Sequence, residues 1–169
     1  ITFNALSEGP HTNCKISVTS SASGYTSDNL SVDNFTIDTT APSLAATTLV
    51  PSLTNDNTPN YTFSSNEAGT ITYGGNCSSS TTAAAADNNT ITFNALGDAQ
   101  HANCTITVRD NAGNTSSTLD VNSFTIDTTA PSLSQVTAVS TPDNDSTPSY
   151  TFSSTEAGVI TYSGGCGSS

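Results

Sequence analysis

Four cysteines, two histidines and fourteen carboxylates are the side chains of this 169-residue sequence best suited to chemistry. Cys14 and Cys104 end the related phrases His-Thr-Asn-Cys and His-Ala-Asn-Cys, while Cys77 and Cys166 follow short Gly-containing turns after a Thr-Tyr pair. With His11 and His101 at hand, each Cys pair could in principle hold zinc. No Cys-x-x-Cys accompanies them, and two Cys plus one His would leave zinc an open coordination position. Disulfide pairing is the preferred reading, with zinc as its rival. The carboxylates suit a different partner, since hard cations such as Ca²⁺ take six to eight oxygens from carboxylates, carbonyls and Asn side chains. An enzyme is not expected. There is no Gly-rich phosphate loop, no Gly-x-Ser-x-Gly and no metal-hydrolase pair of histidines.

Composition narrows the classes further. Lys15 and Arg109 are the two basic residues, and the net charge of -12 repels nucleic acid and anionic membrane, both of which reward clusters of Lys and Arg. The longest uninterrupted apolar run, Ala83–Ala86, is far too short to insert into a bilayer. About a third of the residues are Ser or Thr, and 33% are hydrophobic, so the core must be thin and built from alternating strand residues. The chain opens within a strand-like stretch, "ITFNAL", so the natural N-terminus is expected elsewhere.

The elements that position these residues repeat. "FTIDTTAPSL" stands at 35–44 and again at 124–133. "ITFNALSEGPHTNC" at 1–14 returns as "ITFNALGDAQHANC" at 91–104, and "YTFSSNEAGTITYGGNC" at 61–77 as "YTFSSTEAGVITYSGGC" at 150–166. The proline of Asp-Thr-Thr-Ala-Pro ends one extended segment and starts another. Residues 40–128 then form one complete module, 1–39 the C-terminal part of a preceding one, and 129–169 the N-terminal part of a following one. Within 40–128, period-two patterning predicts seven strands, A to G, at about 44–49, 60–64, 70–73, 77–84, 90–96, 104–109 and 118–126. Turn signals such as "NEAG", "DNN" and "DNAGN" separate them. Seven short strands in a module this size describe an all-β, immunoglobulin-like sandwich, with strands E–G in residues 1–39 and A–C in 129–169.

That topology sorts the reactive residues. Cys77 follows strand C and Cys104 opens strand F, its antiparallel neighbour, so both reach the same pole and a Cys77–Cys104 disulfide is predicted. Such a bridge stabilises by roughly 3–4 kcal/mol in the chain-entropy model, and it places the protein in an oxidising, extracellular compartment. Cys14 and Cys166 occupy the two halves of the same bridge, with partners either outside this chain or on another copy of it. At the N-terminal pole the entering linker carries Asp38, the BC turn Glu67 and the FG turn Asp110; the next joint has Asp127 and Glu156. These five are candidate calcium ligands, with Asn111 and Asn114 nearby. Asp110 could equally serve only to build its turn, for which Asp-Asn-x-Gly is well suited.

The combination "DNAGNTS … FTIDTTAPSL … TPDNDSTPSYTFSSTEAG" resembles the bacterial immunoglobulin-like tandem repeats of giant surface adhesins and other extracellular repeat proteins, over the whole chain. The resemblance implies a stalk on the bacterial cell surface, often rigidified by calcium between modules. Carried over, that role falls on Asp38, Asp110 and Asp127, and then on Glu67 and Glu156. A cysteine pair per module departs from many such repeats. The function expected is therefore a structural, non-catalytic spacer whose partners are neighbouring copies of the repeat. The alternative is a subunit of a self-assembling extracellular filament, in which partial modules of adjacent chains complete each other by strand complementation and a Cys14–Cys166 disulfide. A binding ladder of Thr90, Thr92, Thr105 and Thr107 is a third reading, though alternating Thr is the ordinary exposed face of a strand.

Overall fold

The computed structural model describes residues 1–167, and among them regular structure consists entirely of β-strands. The chain divides into two compact units, Ile1–Asp127 and Thr128–Ser169. Residues 1–39 therefore group with the module that follows them. The reason is visible at the linker, where Glu8 accepts hydrogen bonds from Thr39 and Thr40 and the Asn114 amide donates to the Asp38 carbonyl. No helix among the described residues is long and apolar enough to cross a membrane.

Residues 1–39 supply β1 (Gly9–His11), β2 (Lys15–Ile16), β3 (Leu30–Ser31) and β4 (Phe35–Ile37). The remainder of the first unit supplies β5 (Leu44–Thr48), β6 (Leu53–Thr54), β7 (Asn60–Ser65), β8 (Gly69–Gly74), β9 (Ala83–Ala84), β10 (Asp87–Thr92), β11 (Ala99–His101), β12 (Thr105–Arg109), β13 (Leu119–Asp120) and β14 (Phe124–Ile126). The second unit contains β15 (Leu133–Thr137) and β16 (Thr151–Ser154), which pair antiparallel.

Residues 44–126 fold as a sandwich. One sheet has the order β10-β7-β5, the other β13-β12-β8-β9, and β11-β14-β6 forms a third ladder. The side-chain alternation expected of half-buried strands is clear in β7, where Tyr61, Phe63 and Ser65 are buried and their neighbours are not. It recurs in β12 with Ile106 and Val108, and in β14 with Phe124 and Ile126. Rings stack through the core from Tyr61 to Phe93, from Phe93 to Phe124, and from Phe124 to His101, with centroids 5.3–6.5 Å apart.

Several strand boundaries differ from the expected ones. The strand expected over 77–84 shrinks to Ala83–Ala84, because Cys77 is tied to Cys104 and the chain then crosses to reach the edge of β8. "DNN" joins β10 instead of forming a turn. The Asn89 side chain bonds both the amide and the carbonyl of Ala85, which tightens the turn upstream and leaves Asn88 and Asn89 to pair with β7. The strand expected over 118–126 is broken at Val121–Ser123. There the Asn122 side chain accepts from the Val50 amide and donates to its carbonyl, so a side chain replaces a ladder while the strand changes sheets. Residues 1–6 form no strand, although their counterparts in 91–96 begin within β10. In the second unit the expected strand C is likewise absent.

Candidate metal centre

Three loops converge at the end of the sandwich where the linker enters. Asp38 follows β4, Glu67 lies in the β7–β8 turn, and Asp110 follows β12 directly. One carboxylate oxygen from each lies within 4.8 Å of the others, with Asp110 buried and the other two half-buried.

Asp110 is the most constrained of the three. Its Oδ1 accepts from the Gly113 amide at 2.6 Å and the Asn114 amide at 2.9 Å, and its Oδ2 accepts from Asn114 Nδ2 at 2.9 Å. Gly113 has φ +104°, a conformation that glycine adopts without a Cβ penalty, which explains the Asp-Asn-Ala-Gly-Asn spelling of this turn. Burial pushes the Asp110 carboxyl up, but the bonds from Asn114, Gly113 and Ala112 together outweigh it and hold the group below the usual carboxylate range. Glu67 is held by its backbone: its amide donates to Ser65 Oγ at 3.3 Å and its carbonyl accepts from the same hydroxyl at 2.6 Å. Asn66 Nδ2 reaches Glu67 Oε1 at 3.2 Å. Asp38 Oδ1 accepts from the Thr40 amide at 3.2 Å.

Three carboxylates this close repel one another, and a divalent cation relieves that repulsion while satisfying their lone pairs. The donor set is all oxygen, which suits a hard cation and not zinc. Asn114 uses its side-chain amide nitrogen to hold Asp110 and the Asp38 carbonyl, at 2.9 and 3.1 Å. It therefore orients the cluster. Glu8 also belongs to this joint: its Oε1 accepts from the Thr39 amide at 2.8 Å and the Thr40 hydroxyl at 2.9 Å, its Oε2 from the Thr39 hydroxyl at 2.6 Å. The signal that could have revealed it was the sandwich topology, which puts the "SEGP" turn of residues 7–10 at the pole of its partial module from which the linker leaves.

Asp127 and Glu156, expected at the next joint, are not members of this three-carboxylate group. Asp127 ends the first unit, its amide donating to the Thr54 carbonyl at 3.0 Å. Glu156 lies in the second unit and repeats the Ser65–Glu67 turn through Ser154, with bonds of 2.6 and 3.3 Å.

The cysteines complete the description. Cys77 and Cys104 are joined, with Cα atoms 5.2 Å apart across a separation of 27 residues. The β8–β12 ladder, which aligns Gly74 with Thr105, carries both to the same end of the sheet. Gly75, at φ +71°, packs its backbone against Asn103 on the way. Zinc thereby loses its thiolates in this module, and His101 instead bonds the Gly97 carbonyl at 3.1 Å and stacks on Phe124. Cys14 and Cys166 are free thiols, the first half-buried and the second exposed.

An all-β sandwich with a buried disulfide between the segments that follow β8 and precede β12 is an immunoglobulin-like module. The family model of the bacterial Ig-like domain matches residues 31–128, and the chain belongs to that family. Its fold is a non-enzymatic one, and its members are typically surface or extracellular domains, a setting that the disulfide suits. Comparison with curated proteins and with solved structures returned no match.

Proposed function

We propose that this chain is a non-catalytic spacer from the stalk of a bacterial surface adhesin, with calcium bound where its modules join. The observation that carries this reading is the meeting of the linker's Asp38 with Glu67 and Asp110 from two loops of the following module. A cation held by all three ties the linker to the module and limits bending at the joint. The disulfide stabilises the thin core by a route independent of metal, and the scarcity of Lys and Arg leaves few sites for trypsin-like proteases. Both properties suit a part that must keep its length outside the cell.

The test is the melting temperature of the full chain with calcium and with a chelator. A site filled at about 100 times its dissociation constant adds about 2.7 kcal/mol to stability, a shift of several degrees. The rise should vanish in Asp110→Ser, the residue type that stands at the equivalent Ser20. No rise with calcium, or an unchanged rise in Asp110→Ser, would refute the calcium joint.

A further inference from the structure

We infer that residues 38–43 form a rigid coupling latched from both sides, and that Glu8 is the residue that fixes the orientation of residues 1–37 on this linker. The inference goes beyond the calcium joint and does not rest on it.

The ladder of β1 and β4 puts Glu8 in place. Gly9 pairs with Ile37, Pro10 with Thr36 and His11 with Phe35. Continuing that antiparallel register by one residue sets Glu8 opposite Asp38, where the ladder ends and the linker begins. The Glu8 side chain reaches past this last rung to the next two residues. Its Oε1 accepts from the Thr39 amide and the Thr40 hydroxyl, and its Oε2 from the Thr39 hydroxyl, all at 2.6–2.9 Å. Bonds to an ionised acceptor are the stronger kind, and donors on both oxygens fix direction as well as distance. A carboxylate recurs at this turn: Asp98 of "GDAQ" stands where Glu8 stands in "SEGP".

The central module holds the other side. Asn114 Nδ2 donates to the Asp38 carbonyl at 3.1 Å. Asn66 Oδ1 accepts from the Ser43 amide at 2.6 Å, and the Asn66 amide donates to the Ser43 carbonyl at 3.3 Å. Between these two points Pro42 is buried, and its ring fixes φ. Within the linker itself the Thr40 amide bonds Asp38 Oδ1. Asp38, Thr39, Thr40 and Ser43 are thus each bonded, which leaves few torsions free to bend.

The two sides have separate tasks. A cation at Asp38, Glu67 and Asp110 fastens the linker to the central module, the side on which Asn114 and Asn66 already act. Glu8 fastens residues 1–37 to the linker. Its loss frees those residues to swivel about the linker while the sandwich of residues 44–126 and its three carboxylates stay as they are.

The test is residual dipolar couplings of the backbone amides in the full chain at neutral pH, aligned in a stretched polyacrylamide gel. A chelator is present throughout, so the outcome is separate from that of the calcium joint. In the wild type, couplings from the ladders of 1–37 and of 44–126 should fit one alignment tensor. In Glu8→Ala the order of residues 1–37 should fall at least twofold relative to 44–126, with the ladders of the central module unchanged. Thr39→Val combined with Thr40→Val removes two of the three bonds and touches no ladder residue. It should lower the order in the same direction by less, and it decides the matter if Glu8→Ala disturbs β1. Adding both Val changes to Glu8→Ala should cause no further fall, because all three act through one contact. A single tensor in Glu8→Ala, separate tensors already in the wild type, or a further fall in the triple variant would overturn the proposal.

Discussion

Asn114 Nδ2 donates to the carbonyl of Asp38 at 3.1 Å, across 76 residues of sequence. The same nitrogen holds Asp110 Oδ2 at 2.9 Å. One side chain therefore fastens the linker to the β12–β13 turn, and it does so whether or not a cation is present. Asn114→Ala should cost about 1–3 kcal/mol, since one of its bonds ends on a carboxylate. Urea unfolding of the full chain gives that number. Proteolysis of the linker by a protease active at its Thr and Ala residues should quicken in parallel. An unchanged midpoint together with an unchanged cleavage rate would show that the contact does not hold the linker.

The Cys77–Cys104 bridge closes a loop of 27 residues, which corresponds to about 3.5 kcal/mol of denatured-state entropy. Both sulfurs are buried against the core, so the double Ser variant also loses apolar contact. Chemical denaturation of the oxidised chain and of the double variant should differ by at least that amount, with the variant near the edge of folding. A difference under about 1 kcal/mol would mean that hydrophobic burial carries the module without its crosslink.

Phe93 and Phe3 occupy the same place in the repeat but not in space. Phe93 lies between Tyr61 and Phe124 at ring distances of 6.5 and 6.2 Å, so Phe93→Ala should open a cavity and cost about 3–5 kcal/mol. Phe3 keeps one stacking contact, with Phe35 at 5.9 Å, and is open to solvent on the other side. At dilution Phe3→Ala should change stability by less than about 0.5 kcal/mol. Calorimetry on both variants separates the two environments, and equal losses would contradict them.

That pair of residues also marks how far the sequence could be read. Alternation in "YTFSS" and "TITV" announces β7 and β12 because each strand buries one face, and pairing β8 with β12 was enough to bring Cys77 to Cys104. The meeting of Asp38, Glu67 and Asp110 followed from knowing which loops share an end of a sandwich. Alternation in "ITFNAL" is equally clear at 1–6 and 91–96, yet a ladder forms only in the second copy, where β7 lies alongside. A strand is a property of two segments, and local pattern reports one. The roles of Asn89, Asn114 and Asn122 were hidden for a related reason. Asn in a turn signal reads as a loop former, and Asn122 reads as part of a strand; which backbone groups each amide will satisfy depends on segments 4 to 76 residues away.

Glu8 supplies the pH dependence of the joint. The Thr39 hydroxyl, then the Thr39 amide, then the Thr40 hydroxyl stabilise its ionised form and lower its pKa from 4.5 to about 2. A carboxyl depressed in the folded state stabilises that state fully above its unfolded value, and the contribution fades as pH falls through the folded one. The clamp should therefore be intact at neutral pH, weaken as pH drops from about 4.5 toward 2, and be gone below that. The carboxyl ¹³C shift of Glu8 followed by NMR should titrate near 2, and the Thr39 amide should move with the same midpoint. Glu8→Gln should remove that coupled transition from Thr39 while leaving the Asp110 turn unaffected. A Glu8 midpoint near 4.5, with Thr39 indifferent to pH, would show that the carboxylate does not grip the linker in solution.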